Sequence, residues 1–156
     1  MNAKRKKLIT SLALPLAVGG ISGLITKDYT IIFELLAKPP LAPPGRLFPV
    51  VWTVLYILMG LASYWVWISD ARPETKKLGA VYYALTLVLN FVWPIIFFVF
   101  DRYLAAFIWL CLLWLTVLLT AVQFRRADVK AGSVMLPYLL WVTFAGYLNL
   151  GIYLLN

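Results

Sequence analysis

The side chains that most often carry catalysis or bind metal ions are almost absent from this chain. It contains no histidine and one cysteine, Cys111, and all its charged residues lie outside five long uncharged runs. Zinc, haem-thiolate and iron–sulfur centres therefore lack their usual ligands. Proton relays and ion pathways inside membranes normally use ionisable side chains. The sequence thus argues against a metal centre, ordinary acid–base catalysis and an ion-coupled pump.

The uncharged runs instead carry aromatic and amide side chains at helical spacing. Residues three, four and seven positions apart share one face of a helix, and three runs show such a face. The residues are Trp52, Tyr56 and Ser63 in the second run, Asn90, Trp93, Pro94 and Phe97 in the third, and Trp141, Ala145 and Asn149 in the fifth. At about 1.5 Å per residue, Tyr56, Asn90 and Ala145 fall near mid-depth. These faces predict an internal ligand pocket, or else ordinary packing between helices.

The five runs that position these faces are long enough to cross a membrane. They cover residues 8–25, 47–68, 78–100, 103–124 and 133–155. About 20 helical residues cross a hydrocarbon core of about 30 Å, and lipid cannot satisfy exposed backbone groups, which favours helices. We therefore predict an all-α membrane protein, a bundle of five transmembrane helices forming a single domain over residues 1–156. The first run, short and preceded by basic residues, could also be a signal peptide.

Composition and charge agree with a membrane protein. Hydrophobic residues make up 63% of the chain and charged residues 13%, whereas soluble domains contain about 25% charged residues. Ten lysines and arginines fall in the N-terminal tail and after runs two and four, against four after runs one and three. The positive-inside rule then predicts a cytoplasmic N-terminus. The net charge of +8 needs no nucleic-acid partner, and the short tails favour a bacterial cytoplasmic membrane.

The first loop, residues 26–46, is longer than the other loops. It contains the segment Lys38-Pro39-Pro40-Leu41-Ala42-Pro43-Pro44-Gly45. Prolines fix φ and favour extended neighbours, so this segment should be stiff. It is either a simple connector or a lid over a cavity that opens at that end of the bundle.

With these features, the chain resembles the TspO/MBR family of tryptophan-rich sensory proteins and translocator proteins. The matching strings run in order along almost the whole chain. They are Lys38-Pro39, Pro43-Pro44, Val51-Trp52, Leu55-Tyr56, Met59-Gly60, Ser63-Tyr64, Val66-Trp67, Leu89-Asn90, Trp93-Pro94, Phe97-Phe98, Pro137-Tyr138-Leu139, Trp141, Phe144-Ala145 and Leu148-Asn149.

The resemblance implies a five-helix bundle, often dimeric, with an internal pocket closed by the first loop. It implies binding of tetrapyrroles such as protoporphyrin IX and haem, and of benzodiazepine-type drugs, with no obligatory cofactor. The positions that match the family's pocket are Trp52, Tyr56, Asn90, Trp93, Phe97, Phe98, Cys111, Trp141, Ala145 and Leu148. Small residues at Gly19 and Gly23, and at Ala80 and Ala84, would permit dimerisation or packing within one bundle.

Two departures from the family pattern change what is expected of the pocket. Family members often carry Trp-Tyr shortly before the Lys-Pro of the first loop, where this chain has Ile32 and Phe33. One side of the pocket then lacks an indole and a phenol hydroxyl. No basic residue follows Tyr147 or Tyr153, so the usual cholesterol-type pattern is absent and specific sterol binding is not expected.

A porphyrin is a flat apolar disc with two carboxylates on one edge. Aromatic faces suit the disc, while the carboxylates cannot stay unpaired in hydrocarbon. They are expected to point toward Lys38 and Arg46 in the first loop. The leading hypothesis is a receptor or sensor for tetrapyrroles. The alternatives are a carrier of porphyrin-like amphipaths, an enzyme that degrades porphyrin with light and oxygen, and a structural scaffold.

Overall fold

The computed structural model of the protein describes residues 2–156, and over this range it contains helices and no strand. The helices are α1 (Ala3–Thr26), α2 (Ile32–Leu35), α3 (Leu47–Ile68), α4 (Pro73–Pro94) with a π-helical turn (Ile95–Val99), α5 (Tyr103–Ala127), α6 (Val129–Ser133) and α7 (Leu136–Leu155). Five stretches are long and apolar enough to cross a membrane: α1, α3, α4 with its π-helical turn, α5, and α6 together with α7. This confirms the predicted fold class.

The predicted spans match the helices in position but not at every end. The second run coincides with α3, whereas α1 and α4 begin five residues earlier than their runs, at Ala3 and Pro73. Lysine and arginine are good helix formers, so the basic flanks continue the helices. The fifth run was predicted to begin at residue 133, but α7 begins at Leu136. The preceding helix α6 is separate, and Asp128 caps it by accepting hydrogen bonds from two backbone N–H groups.

The helices pack tightly in the half of the bundle that holds the N-terminus of α1, called here the basic end. Helix α1 contacts α3 and α4, α4 contacts α5, and α5 contacts α7. Met59, Met135 and Tyr138 are fully buried there, and the rings of Tyr83 and Phe124 lie 5.6 Å apart. A side chain cannot be accommodated at Gly60, where a Cβ atom would lie 2.9 Å from the Cα of Leu12 on α1.

Residues 27–46, called here the strap, cross the opposite end of the bundle. The strap is fastened to α7 at three points. The Asn156 side chain accepts from the backbone N–H of Ala37 and donates to its carbonyl, both at 3.0 Å, and the Tyr147 hydroxyl donates to the carbonyl of Pro40 at 2.8 Å. Pro39 lies against Gly151, where a Cβ atom would come within 2.5 Å of the proline ring. The proline segment is therefore held against α7 and is not a free connector.

The first half of the strap is held to the second by Glu34. Its carboxylate accepts a hydrogen bond from the backbone N–H of Gly45 at 2.9 Å and lies 3.7 Å from the ammonium of Lys38. Lys38 also donates to the Glu34 carbonyl and lies over the ring of Phe33. Phe33 is buried and packs edge-on against Phe48 at 5.1 Å. These contacts place the short helix α2 over the space between the spanning helices.

The close approach of α1 and α3 predicts a large difference between two glycine substitutions. Gly60→Leu should lower the free energy of unfolding by about 1–3 kcal/mol, because the new side chain meets the α1 backbone. Gly23→Leu is the matched control, since a Cβ atom at Gly23 meets nothing within 4 Å. Thermal unfolding followed by circular dichroism in one detergent measures both. Equal stability of the two variants would contradict the close packing at Gly60.

Candidate ligand-binding cavity

A cavity of about 740 Å³ lies beneath the strap, in the half of the bundle away from the basic end. Its walls come from α1, α3, α4, the π-helical turn and α7, and the strap covers it. Ligand sites in proteins typically enclose about 300–1,000 Å³ and are mostly apolar with a few placed polar groups. The size and the lining of this cavity match that description.

One wall of the cavity is a continuous row of aromatic rings. The centroids of Trp52 and Tyr56 lie 5.9 Å apart, those of Trp52 and Trp93 6.1 Å, and those of Trp93 and Phe97 5.5 Å. Phe98 continues the row 4.8 Å from Phe97. Centroid separations of about 4.5–7 Å are typical of favourable contacts between aromatic rings. The wall can therefore hold a flat apolar ligand by stacking and by burying its faces.

The π-helical turn explains how two consecutive phenylalanines reach the same cavity. Pro94 has no N–H group, so it cannot continue the regular hydrogen bonding of α4. The next turn widens, and the N–H of Phe100 bonds to the carbonyl of Ile95 at 3.1 Å, five residues back. The widened turn rotates the residues that follow relative to a regular helix. Phe97 and Phe98 both line the cavity as a result.

Two asparagines at the back of the cavity differ in whether their hydrogen bonds are complete. Asn149 accepts from the indole N–H of Trp93 at 3.1 Å and donates to the carbonyl of Tyr103 at 2.8 Å, so it fixes the indole. Asn90 is fully buried and donates through its amide nitrogen to the hydroxyl of Tyr138. Its amide oxygen Oδ1 is buried without a partner. Because an unpaired buried acceptor is costly, this oxygen is suited to an N–H or O–H group of a ligand.

The charged side chains at the cavity mouth come from the strap and its two ends. Lys27, Glu34 and Arg46 line the mouth. Glu34 is engaged by the Gly45 N–H and Lys38, whereas the cationic groups of Lys27 and Arg46 have no hydrogen-bond or ion-pair partner within residues 2–156. The mouth therefore presents two free positive charges above an apolar interior, an arrangement that suits an amphipathic anion.

Eight of the ten predicted pocket residues line this one cavity. They are Trp52, Tyr56, Asn90, Trp93, Phe97, Phe98, Ala145 and Leu148. Tyr56, Asn90 and Ala145 belong to three different helices and all line this cavity, which fits the common depth that their spacing predicted. The aromatic faces of α3 and α4 thus form a pocket and not only helix packing.

The other two predicted pocket residues lie outside the cavity. Cys111 is exposed on the outer side of α5, in a shallow groove between α5 and α7, because the opposite side of α5 carries the buried contacts. Trp141 packs edge-on against Phe48 at 5.9 Å and so lies behind a residue of the cavity wall. Neither side chain contributes to the lining of the cavity.

The cations found at the cavity mouth differ in part from those that the sequence predicted. Arg46 lines it as predicted, but Lys38 is turned onto Glu34 and Phe33 and does not. The second cation at the mouth is Lys27, which the sequence analysis did not predict there. Phe33 supplies a ring to the lining of the cavity, whereas Ile32 does not. Gly19 and Gly23 of α1, which the sequence suggested only for helix packing, border the cavity, and so does Gly20.

The fold and the cavity together define an integral membrane protein of five spanning helices with a strap-covered aromatic pocket. The model of the TspO/MBR family matches residues 11–155. The chain is 38% identical to the tryptophan-rich protein TspO of Chlorobaculum tepidum, covering 100% of this chain and 99% of that protein. It is 39% identical to protein CrtK of Rhodobacter capsulatus (80% and 78% covered) and 34% identical to the translocator protein of Ovis aries (75% and 70%). The chain belongs to the TspO/MBR family.

The different surroundings of Cys111 and Leu148 predict different reactivity toward a membrane-soluble maleimide. Cys111 is exposed on the bundle surface, whereas Leu148 is only 3% exposed and faces the cavity. In a Cys111→Ser background, the cysteine of Leu148→Cys should react several-fold more slowly than Cys111 does in the natural chain. Mass spectrometry of protein in lipid nanodiscs follows the two rates. Equal rates would show that the cavity is not enclosed as described.

Proposed function

We propose that this protein is a membrane receptor or sensor that binds tetrapyrroles such as protoporphyrin IX and haem in the cavity beneath the strap. The observation that carries the proposal is the combination of an aromatic wall from Trp52 to Phe98 with two free cations at the mouth. A tetrapyrrole has the complementary shape and charge, because it is a flat apolar disc with carboxylates on one edge. The disc would lie along the rings and the carboxylates would point to the mouth.

Family membership supports the proposal without deciding it. A relative in Cereibacter sphaeroides, 37% identical, bears the name tryptophan-rich sensory protein, and the Ovis aries relative bears the name translocator protein. The first name favours sensing and the second favours movement of a ligand. We favour sensing, because the hydrogen-bonded and buried side chains of Asn90 and Tyr138 close the cavity toward the basic end. Benzodiazepine-type drugs are a second ligand class for the same pocket.

The aromatic wall predicts a large effect of removing one indole. Trp52→Ala should weaken binding of protoporphyrin IX by roughly tenfold or more, because it removes about 1.5–3 kcal/mol of apolar burial. Quenching of tryptophan emission in nanodiscs measures the affinity. Trp67→Ala is the matched control, since Trp67 lies exposed at the basic end of α3, and it should bind normally. Trp141→Ala should have a smaller effect than Trp52→Ala, since Trp141 lies behind Phe48. Normal binding by Trp52→Ala would exclude the cavity as the site.

The two free cations predict a salt-dependent contribution to affinity. Replacing both Lys27 and Arg46 with Ala should weaken protoporphyrin IX binding roughly two- to thirtyfold at low salt, since exposed ion pairs contribute about 0.2–1 kcal/mol each. The loss should shrink at high salt because ions screen exposed charges. The control is the double change Arg5→Ala and Lys6→Ala, which removes the same charge at the basic end. An identical effect of both pairs would contradict carboxylate recognition at the mouth.

The same samples distinguish the alternatives. Loss of porphyrin absorbance into a new product, in light and oxygen only, would indicate degradation. Flux of porphyrin across protein-containing vesicles would indicate transport. Absence of binding, degradation and flux would leave a structural role.

A further inference from the structure

Helices α1 and α3 are in close contact over only part of their length. At Gly60 a Cβ atom would lie 2.9 Å from the Cα of Leu12. At Gly19 a Cβ atom would overlap the ring of Tyr56. Neither Gly60 nor Gly19 therefore has room for a side chain, and the two helices are close at both positions.

Beyond Gly19, toward the strap, the two helices separate. Gly20 and Gly23 have nothing within 4 Å of an added Cβ atom, and both are exposed while also lining the cavity. Pro49 and Thr53 on α3 are likewise both exposed and part of the lining. Gly20 is six residues from the end of α1 and Thr53 six residues from the start of α3, so both lie about 9 Å into the bundle. These four residues border a gap in the side wall of the cavity.

The gap opens where the membrane would be, whereas on the side of α7 the cavity is covered by the fastened strap. The gap lies within two helices that are long and apolar enough to span a bilayer, so it faces lipid and not water. Above the cavity, the strap is fastened to α7 by the side chains of Asn156 and Tyr147. Lifting the strap off α7 requires breaking these hydrogen bonds, while passage through the gap requires none to be broken.

The two free cations stand at the upper corners of the same gap. Lys27 directly follows the last residue of α1, and Arg46 directly precedes the first residue of α3. An amphipathic anion dissolved in the bilayer holds its charged groups at the membrane surface and its apolar body among the lipid tails. Such an anion can enter the cavity laterally from the bilayer while its anionic groups remain close to Lys27 and Arg46.

We propose that amphipathic anionic ligands pass between the bilayer and the cavity sideways, through the gap between α1 and α3, while the strap stays fastened. This inference rests on the proposed binding function and adds the route and the requirement that the ligand be dissolved in the membrane. The absence of side chains at Gly20 and Gly23 keeps the gap open. Glycine at these two positions therefore allows a ligand to reach the cavity from the bilayer.

The test compares binding rates in variants that fill the gap. Gly20→Leu and Gly23→Leu should slow both association and release of protoporphyrin IX by roughly tenfold or more, since passage then requires the helices to move apart. Ala17→Leu is the matched control, because Ala17 is exposed on α1 but does not line the cavity. Stopped-flow quenching of tryptophan emission in vesicles gives the two rates. Unchanged rates, or faster release, in both glycine variants would overturn the inference.

A second pair of variants tests the route over the top. Loosening the strap with Asn156→Ala and Tyr147→Phe should leave both rates unchanged if ligands pass through the gap. Faster association and release in this double variant would place the route at the strap and overturn the inference.

A measurement without porphyrin separates this inference from the proposed function. In the Cys111→Ser, Leu148→Cys protein, adding Gly20→Leu should slow labelling by a membrane-dissolved maleimide by about the same factor as it slows ligand passage, while Ala17→Leu should not. If the wild-type protein does not quench with porphyrin, the proposed function fails. Labelling that is insensitive to Gly20→Leu overturns the gap instead, whatever the porphyrin result.

Discussion

Lipid offers no hydrogen-bond partners, so every polar group in the spans must find one inside the bundle. Most do: Thr86 pairs with Thr120, Trp109 donates to the carbonyl of Leu89, and Ser22 on α1 donates to the carbonyl of Phe91 on α4. These bonds fix how the helices contact one another. Of the buried side-chain atoms that lack a partner, the Oδ1 of Asn90 belongs to a residue that lines the cavity. The other two such atoms among residues 2–156, the hydroxyl of Tyr83 and the indole nitrogen of Trp141, belong to residues that do not line the cavity.

The two halves of the bundle differ in how closely their helices pack. Toward the basic end, glycines bring backbones together and large side chains such as Tyr138 and Met135 fill the space. Toward the strap, Pro94 and the π-helical turn interrupt α4, and α1 diverges from α3. The helices do not fill the space between them at this end, and that space is the cavity. π-Helical turns inside α-helices are frequently found at functional sites.

Lys38 and Cys111 do not line the cavity, and in both cases the decisive contacts are ones that helical spacing does not show. Helical spacing brings Asn90 and Trp93 to one face, and that prediction needs no knowledge of neighbouring helices. Lys38 sits in a loop, where a single carboxylate, Glu34, decides where the ammonium points. Cys111 was assigned by resemblance alone, and the rotation of α5 about its axis decides which side faces lipid. Spacing shows which residues share a face but not what that face contacts.

The sequence by itself determined the class of this protein. Long uncharged runs and the absence of ionisable residues within them leave only membrane-spanning helices, because backbone groups must be paired within each run. It also placed Tyr56, Asn90 and Ala145 of three helices near one depth, because helical rise and period are fixed. Only the tertiary structure decided that Lys27 replaces Lys38 at the mouth, that Trp141 stands behind Phe48, and that α1 and α3 separate beyond Gly19. These features depend on distances between helices, which are set by contacts between residues far apart in the chain.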